Sequence, residues 1–252
     1  METEKSVLVL VPGMFSTGNV FEKMKERLEE LGKKCKIIDF PRFEDSEDCL
    51  ICEYSFSEKI NFVVNFLEKL EKPFELGGHS AGATMVLKIA SFPQINPLRI
   101  FLFAPAPTYG VFSLYPSVIK SFWFVIRDPY FMTKNIKIPF KCFKKGMAQT
   151  LPNELARSIF EKLRIESGKF IFEVGLWIFD SNKATLIDYL EIQCPAKIFI
   201  GSKDRVTPVG VAKRICKILK RNRLWQVEFI KINGCSHWLI EEALDEICES
   251  CL

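Results

Sequence analysis

The chain has 252 residues, 48% hydrophobic and 26% charged, which is enough apolar mass for one large domain with a substantial core. Its formal charge of +4 is small and evenly spread, which argues against a nucleic-acid partner. The amino terminus is polar and acidic, and the apolar run that follows, Val7 to Val11, is too short for a signal peptide or a membrane span. No other stretch is long enough either, so a cytoplasmic protein without stable membrane insertion is expected.

The first half alternates strand and helix patterns. Ser6 to Val11 is an apolar run of strand length that stops at Pro12-Gly13. Asn19 is placed to cap a helix over Val20 to Leu31, whose Phe21, Met24, Leu28 and Leu31 share one face. Cys35 to Asp39 reads as a second strand, ending at Pro41. Ser57 is placed to cap a helix through Leu70, with Ile60, Val63, Val64 and Leu67 at helical spacing. A strand at Phe74-Glu75-Leu76, a helix over Ala83 to Ala90 and a strand at Arg99 to Phe103 follow. The last third resumes the rhythm, with strands at Ala196 to Ile200 and Trp225 to Ile230. Helices are expected from Pro208 to Leu219 and from Leu239 to Cys248. Continuous apolar strands alternating with amphipathic helices predict an α/β fold with a doubly wound, mostly parallel sheet.

Residues 108–183 break this rhythm. They are dense in aromatics, including Tyr109, Phe112, Phe122, Trp123 and Phe140, and interrupted by Pro116, Pro129, Pro139 and Pro152. So many large apolar groups need something to cover. The expectation is a helical cap inserted within a single domain of residues 1–252, with a helix over Glu173 to Phe179 returning to the core. Lys137, Lys141, Lys144 and Lys145 read as a solvated helix face.

Chemistry concentrates at Gly78-His79-Ser80-Ala81-Gly82, between an apolar strand and a helix. A serine on such a sharp turn is strained and exposes its hydroxyl, and small neighbours let the adjacent backbone approach. A serine hydroxyl needs a base, and the base needs an orienting group. The chain holds two histidines. His79 adjoins the serine and points elsewhere on a tight turn, so it is read as structural. His237 lies in the loop between the last strand and the last helix, at the same sheet edge as Ser80. Asp204 follows the Ala196 strand to that edge, and Asp180 and Asp188 are weaker candidates because neither follows a clear strand. The order Ser80, Asp204, His237 is that of one hydrolase architecture. The amides of Ala81 and Met14 are the expected oxyanion donors, Gly13 giving the tight turn that aims the latter inward.

Among the nine cysteines two pairs are closely spaced, Cys49 with Cys52 and Cys248 with Cys251. The odd total and the lack of nearby histidines favour free thiols over zinc, so no metal is expected.

Taken together, these segments resemble the α/β-hydrolase family over nearly the whole length. They are the Pro12-Gly13-Met14-Phe15 loop, the Ser80 elbow, the acid loop Gly201 to Pro208 and the base loop Gly234-Cys235-Ser236-His237-Trp238. The resemblance implies Ser80 as nucleophile, Asp204 as acid, His237 as base and the Met14 and Ala81 amides as oxyanion hole, with no cofactor. The chain departs from the family at Pro12, where His is often found, and at Ala83, where a third glycine is common. Ser80 in place of aspartate argues against dehalogenase and epoxide-hydrolase chemistry. The expected activity is hydrolysis of a small ester with an apolar acyl or alcohol group. A thioesterase, a carbon–carbon bond hydrolase, a perhydrolase, an aminopeptidase or a slow-turnover ligand-binding protein are the alternatives.

Overall fold

A computed structural model describes residues 6–41, 54–70, 73–221 and 226–252. Its centre is a six-stranded parallel sheet. The strands are β1 (Val7–Val11), β2 (Lys34–Ile37), β3 (Phe74–His79), β4 (Ile100–Phe103), and, beyond a long insertion, β7 (Ala196–Gly201) and β8 (Val227–Ile232), in spatial order β2-β1-β3-β4-β7-β8. Every residue of β1 and of β4 is buried. Successive side chains of a strand face opposite ways, so both faces of the central sheet are covered, and valine and leucine can run without polar interruption. The covering helices are α1 (Glu22–Glu30), α2 (Phe56–Leu67), α3 (Ala81–Ala90), α8 (Val209–Arg221), α9 (Leu239–Glu242) and α10 (Leu244–Ser250). Among the described residues no helix is long and apolar enough to cross a membrane.

Capping chemistry moved several expected boundaries. The segment before α1 opens as a 3₁₀ turn, Gly18–Phe21, and Thr17 rather than Asn19 caps it by accepting the Asn19 N–H. α2 is capped by Ser55, not Ser57. Ser55 and Glu58 form a reciprocal capping box, which places Ser57 inside the first turn. The expected last helix is broken at Ala243, whose φ of −134° and ψ of 43° are not helical. β3 extends through Gly77 and Gly78 to His79, and β8 runs from Val227, the expected start at Trp225 lying outside the described residues.

Between β4 and β7 lie α4 (Pro116–Ile126), α5 (Phe140–Gly146), α6 (Asn153–Glu161) and α7 (Gly168–Gly175). A two-stranded antiparallel ribbon joins β5 (Asn135–Ile136) to β6 (Glu166–Ser167). The expected helix over Glu173 to Phe179 is instead the end of α7 followed by a 3₁₀ turn, Trp177–Phe179. Lys144 is not free in solvent, since its ammonium donates to the carbonyls of Ala148 and Leu151.

Two features of the sheet position the site. Strand order reverses between β1 and β3, which leaves a crevice at their carboxyl ends. All six strands run parallel, so the loops after β1, β3, β7 and β8 emerge along the same carboxyl edge.

Candidate active site

Ser80 stands between β3 and α3 with φ 56° and ψ −121°, a conformation that side chains rarely adopt. Three contacts hold it there. Its N–H donates to the Phe103 carbonyl at 2.8 Å, and its C=O accepts from the amides of Ala83 and Ala106, each at 3.0 Å. The elbow also needs glycine at a point of close approach. A Cβ on Gly82 would lie 2.1 Å from the carbonyl oxygen of Val11, so only glycine lets α3 start this close to the end of β1.

Asp204 and His237 meet across the neighbouring pair of strand ends. His237 Nδ1 lies 2.7 Å from Asp204 Oδ2, and both side chains are buried. Asp204 Oδ1 also accepts the amides of Val206 and Thr207 at 2.8 Å each, and Oδ2 accepts the Thr207 hydroxyl at 2.9 Å. With the Asp204 carboxylate so oriented, His237 Nδ1 carries the proton and Nε2 is left as the basic nitrogen. The His237 loop is held in turn by Glu242, which accepts the Ser236 amide at 2.6 Å and its hydroxyl at 2.8 Å.

Ser80 and His237 line one pocket, about 900 Å³ of empty space with its open mouth included. Met14 and Ala81 line it too. Ala81 begins α3, where main-chain amides have no intrahelical acceptor. Neither the Met14 nor the Ala81 amide has a hydrogen-bond acceptor among the described residues. Gly13 brings the Met14 loop against the elbow, since a Cβ there would lie 2.9 Å from Ser80 Cβ. More than half of the lining residues come from the insertion, among them Leu114, Val118, Phe122, Ile171 and Leu176. Among the described lining residues there is no Lys, Arg, Asp or Glu.

The other candidates make different contacts. His79 is fully packed, its Nε2 donating to the His237 carbonyl at 2.8 Å and its ring 5.4 Å from that of Trp238. Burial pushes its imidazole down to about 3, with His237 adding to the effect, so it stays neutral. Asp180 closes a turn onto the amides of Asn182 and Ala184, and Asp188 accepts that of Leu190. Cys248 and Cys251 are buried free thiols, and burial raises Cys248 to about 11; Cys49 and Cys52 lie outside the described residues.

Sequence reasoning missed Thr207, whose hydroxyl bonds Asp204, reaches the Ala104 carbonyl at 3.1 Å and lies 3.3 Å from His237 Nδ1. Its place three residues after Asp204, in an Asp-x-x-Thr turn, was the available signal. Sequence reasoning also missed Lys59 and Glu166, a buried ion pair at 2.8 Å joining α2 to the insertion. Their separation of 107 residues offered no local signal.

The chain belongs to the α/β-hydrolase fold family, which matches it over residues 6–244. No protein of curated function matches it by sequence. It is similar in structure to an extracellular α/β-hydrolase from a Paenibacillus species, described as sharing structural and functional homology with tobacco salicylic acid binding protein 2 (TM-score 0.71, 18% identity, 97% of this chain and 96% of that one covered). It is equally similar to a monoacylglycerol lipase from Paleococcus ferrophilus (TM-score 0.71, 17% identity, 98% and 95% covered). A bromoperoxidase from Bacillus anthracis is nearly as close (TM-score 0.70, 17% identity, 98% and 90% covered). At these identities the likeness establishes the fold, and the fold hosts several chemistries.

Proposed function

We propose that the protein is a serine hydrolase that cleaves small carboxylic esters with an apolar acyl or alcohol group, with the insertion acting as a cap over the site. One observation carries this reading. The strained Ser80 turn and the Asp204-oriented imidazole of His237 open into the same apolar pocket. In the reaction, His237 Nε2 takes the proton of Ser80 Oγ as Oγ bonds to the ester carbonyl carbon. The carbonyl oxygen gains negative charge and accepts hydrogen bonds from the Met14 and Ala81 amides. The carbon–oxygen bond to the alcohol then breaks, His237 returning the proton to the leaving oxygen. Water, deprotonated by His237, attacks the acyl-enzyme; the acyl–Oγ bond breaks and Ser80 recovers its proton as the acid leaves.

The lining favours an uncharged ester over an aminopeptidase substrate. An α-ammonium group placed in this pocket would find no carboxylate among the described lining residues. The test is hydrolysis of nitrophenyl esters over a series of acyl lengths beside Ser80→Ala. The expected result is turnover that falls by roughly 10⁴-fold or more in the variant, with the fold retained. Turnover that survives in a clean Ser80→Ala preparation overturns the assignment. Tight binding of an apolar ester without turnover by the wild type moves the reading to ligand binding.

A further inference from the structure

Phe15 follows Met14 and has φ 60°, in the left-handed region that a bulky side chain leaves unless its surroundings hold it. The insertion holds both of its main-chain groups. Its N–H donates to Glu166 Oε2 at 3.2 Å, and its C=O accepts the Arg164 N–H at 2.9 Å. Glu166 is gripped in turn, with Lys59 Nζ lying 2.8 and 2.9 Å from its two oxygens. Both residues are buried, at 6% and 4% exposure, and the Lys59 ammonium lies 3.9 Å from the centroid of the Phe170 ring. A second carboxylate of the insertion, Glu173, accepts the Phe56 amide at the start of α2 at 2.6 Å.

A buried ion pair contributes little net stability compared with apolar residues of the same volume. Here it does something an apolar pair cannot, which is to give the Phe15 amide a carboxylate oxygen to bond, Oε2, shared with the Lys59 ammonium. We infer that Lys59 and Glu166 are positioning residues that fix the Met14–Phe15 peptide, and through it the Met14 amide proposed above for the oxyanion hole. Pro12 has no side-chain donor or acceptor to support this loop. The loop is instead pinned on one side by Gly13 packed against Ser80 and on the other by the Glu166 strap. Lys59 belongs to α2, Glu166 and Arg164 to the insertion. The donor is therefore in place only when the insertion is seated on α2, so closing the pocket and completing the oxyanion site are one event. The catalytic consequence rests on the serine-hydrolase reading above; the positioning of residues 13–16 does not.

Three variants test this, each compared with wild type on a short-chain nitrophenyl ester. In Glu166→Gln one oxygen is replaced by an NH2 that cannot accept and the counter-charge is lost, so the Lys59 ammonium competes with the Phe15 amide for the one remaining oxygen. In Lys59→Met/Glu166→Gln that oxygen returns to Phe15. In Lys59→Met/Glu166→Met there is no acceptor and no stranded charge. The last variant is expected to lose about 10- to 100-fold in kcat with KM within about twofold, since a small misplacement of a catalytic donor costs up to that much. The Glu166→Gln loss is expected to be largely rescued in Lys59→Met/Glu166→Gln. If the Met/Met variant does not fold, this rescue carries the test. Equal kcat in all variants, or a loss confined to KM, overturns the inference. Hydrogen exchange at residues 13–16 supplies a readout independent of turnover. It is expected to accelerate in Glu166→Gln and to recover in the rescued variant, and unchanged exchange overturns the inference. If the wild type shows no Ser80-dependent turnover, the hydrolase reading fails by itself and exchange alone decides the positioning role.

Discussion

The carboxyl edge of the sheet and the insertion between β4 and β7 face the same pocket but are built differently. At the sheet edge Ser80 and the Asp204 carboxylate are held by hydrogen bonds from and to the main chain at 2.8 to 3.0 Å, His237 is held by Asp204, and the backbone around Ser80 is packed so closely that only glycine fits. The insertion contributes mainly side-chain bulk from α4 and α7, with exposed apolar groups such as Trp123 and Phe179 on its outer side. Polar groups that must be placed within a fraction of an ångström sit on strand ends. Apolar groups that need only fill space sit on helices that can differ in shape. Glu166 crosses this division, a polar group of the insertion reaching the strand-end loop.

If the division holds, substitutions at the sheet edge change the chemistry or the fold, whereas those in the insertion change selectivity. Asp204→Asn is expected to give the largest effect of the substitutions that separate the two regions. It should lower kcat at neutral pH by roughly 10³- to 10⁴-fold, because an amide favours the wrong tautomer of His237. Steady-state kinetics on a short ester check this, and a loss below about tenfold would move the acid elsewhere. Gly82→Ala is expected next. Its Cβ would overlap the Val11 carbonyl, so urea unfolding should show a loss of roughly 3 kcal/mol. Little change would mean that the elbow has slack.

Phe122→Ala tests the insertion. It should lower kcat/KM for long-chain esters by roughly 10- to 100-fold while leaving the kcat of an acetyl ester nearly intact, as expected for a group that only fills the pocket. An equal loss on both esters would give Phe122 itself a role in the chemistry. The smallest effect concerns His79. Its imidazole falls from an ordinary 6.5 to about 3 on folding, so between these values the unfolded chain binds a proton that the folded chain does not. Its contribution to stability is complete above pH 6.5 and is lost as pH falls toward 3. Unfolding free energies measured from pH 6 to 4 should fall by about 1.4 kcal/mol per pH unit more steeply in wild type than in His79→Gln. Parallel slopes would mean that water reaches the ring.

The sheet was readable in the chain because buried parallel strands leave continuous apolar runs, as in Val7 to Val11 and Ile100 to Phe103. The meeting of Ser80, Asp204 and His237 at one edge was readable because these residues follow those strands directly, and each loop carries its own turn residues. Helix starts were read less well. Ser55 and Ser57 both resemble caps locally, and only the reach of Glu58 back to Ser55 separates them. The segment between β4 and β7 was legible as an aromatic, proline-broken stretch but not as individual helices, since α4 to α7 and their ribbon take their bounds from packing on each other and on α2.

The sequence by itself determined the parallel α/β architecture and the neighbourhood of Ser80, Asp204 and His237, because periodicity, glycine spacing and loop position are local properties. The tertiary structure alone decided that the Thr207 hydroxyl sits between Asp204 and the Ala104 carbonyl, that His79 packs beside His237 without titrating near neutrality, and that Lys59 finds Glu166. Those outcomes depend on which buried polar groups meet once the chain has closed. A buried charge or amide takes whatever partner the fold brings within reach, however distant it is along the chain.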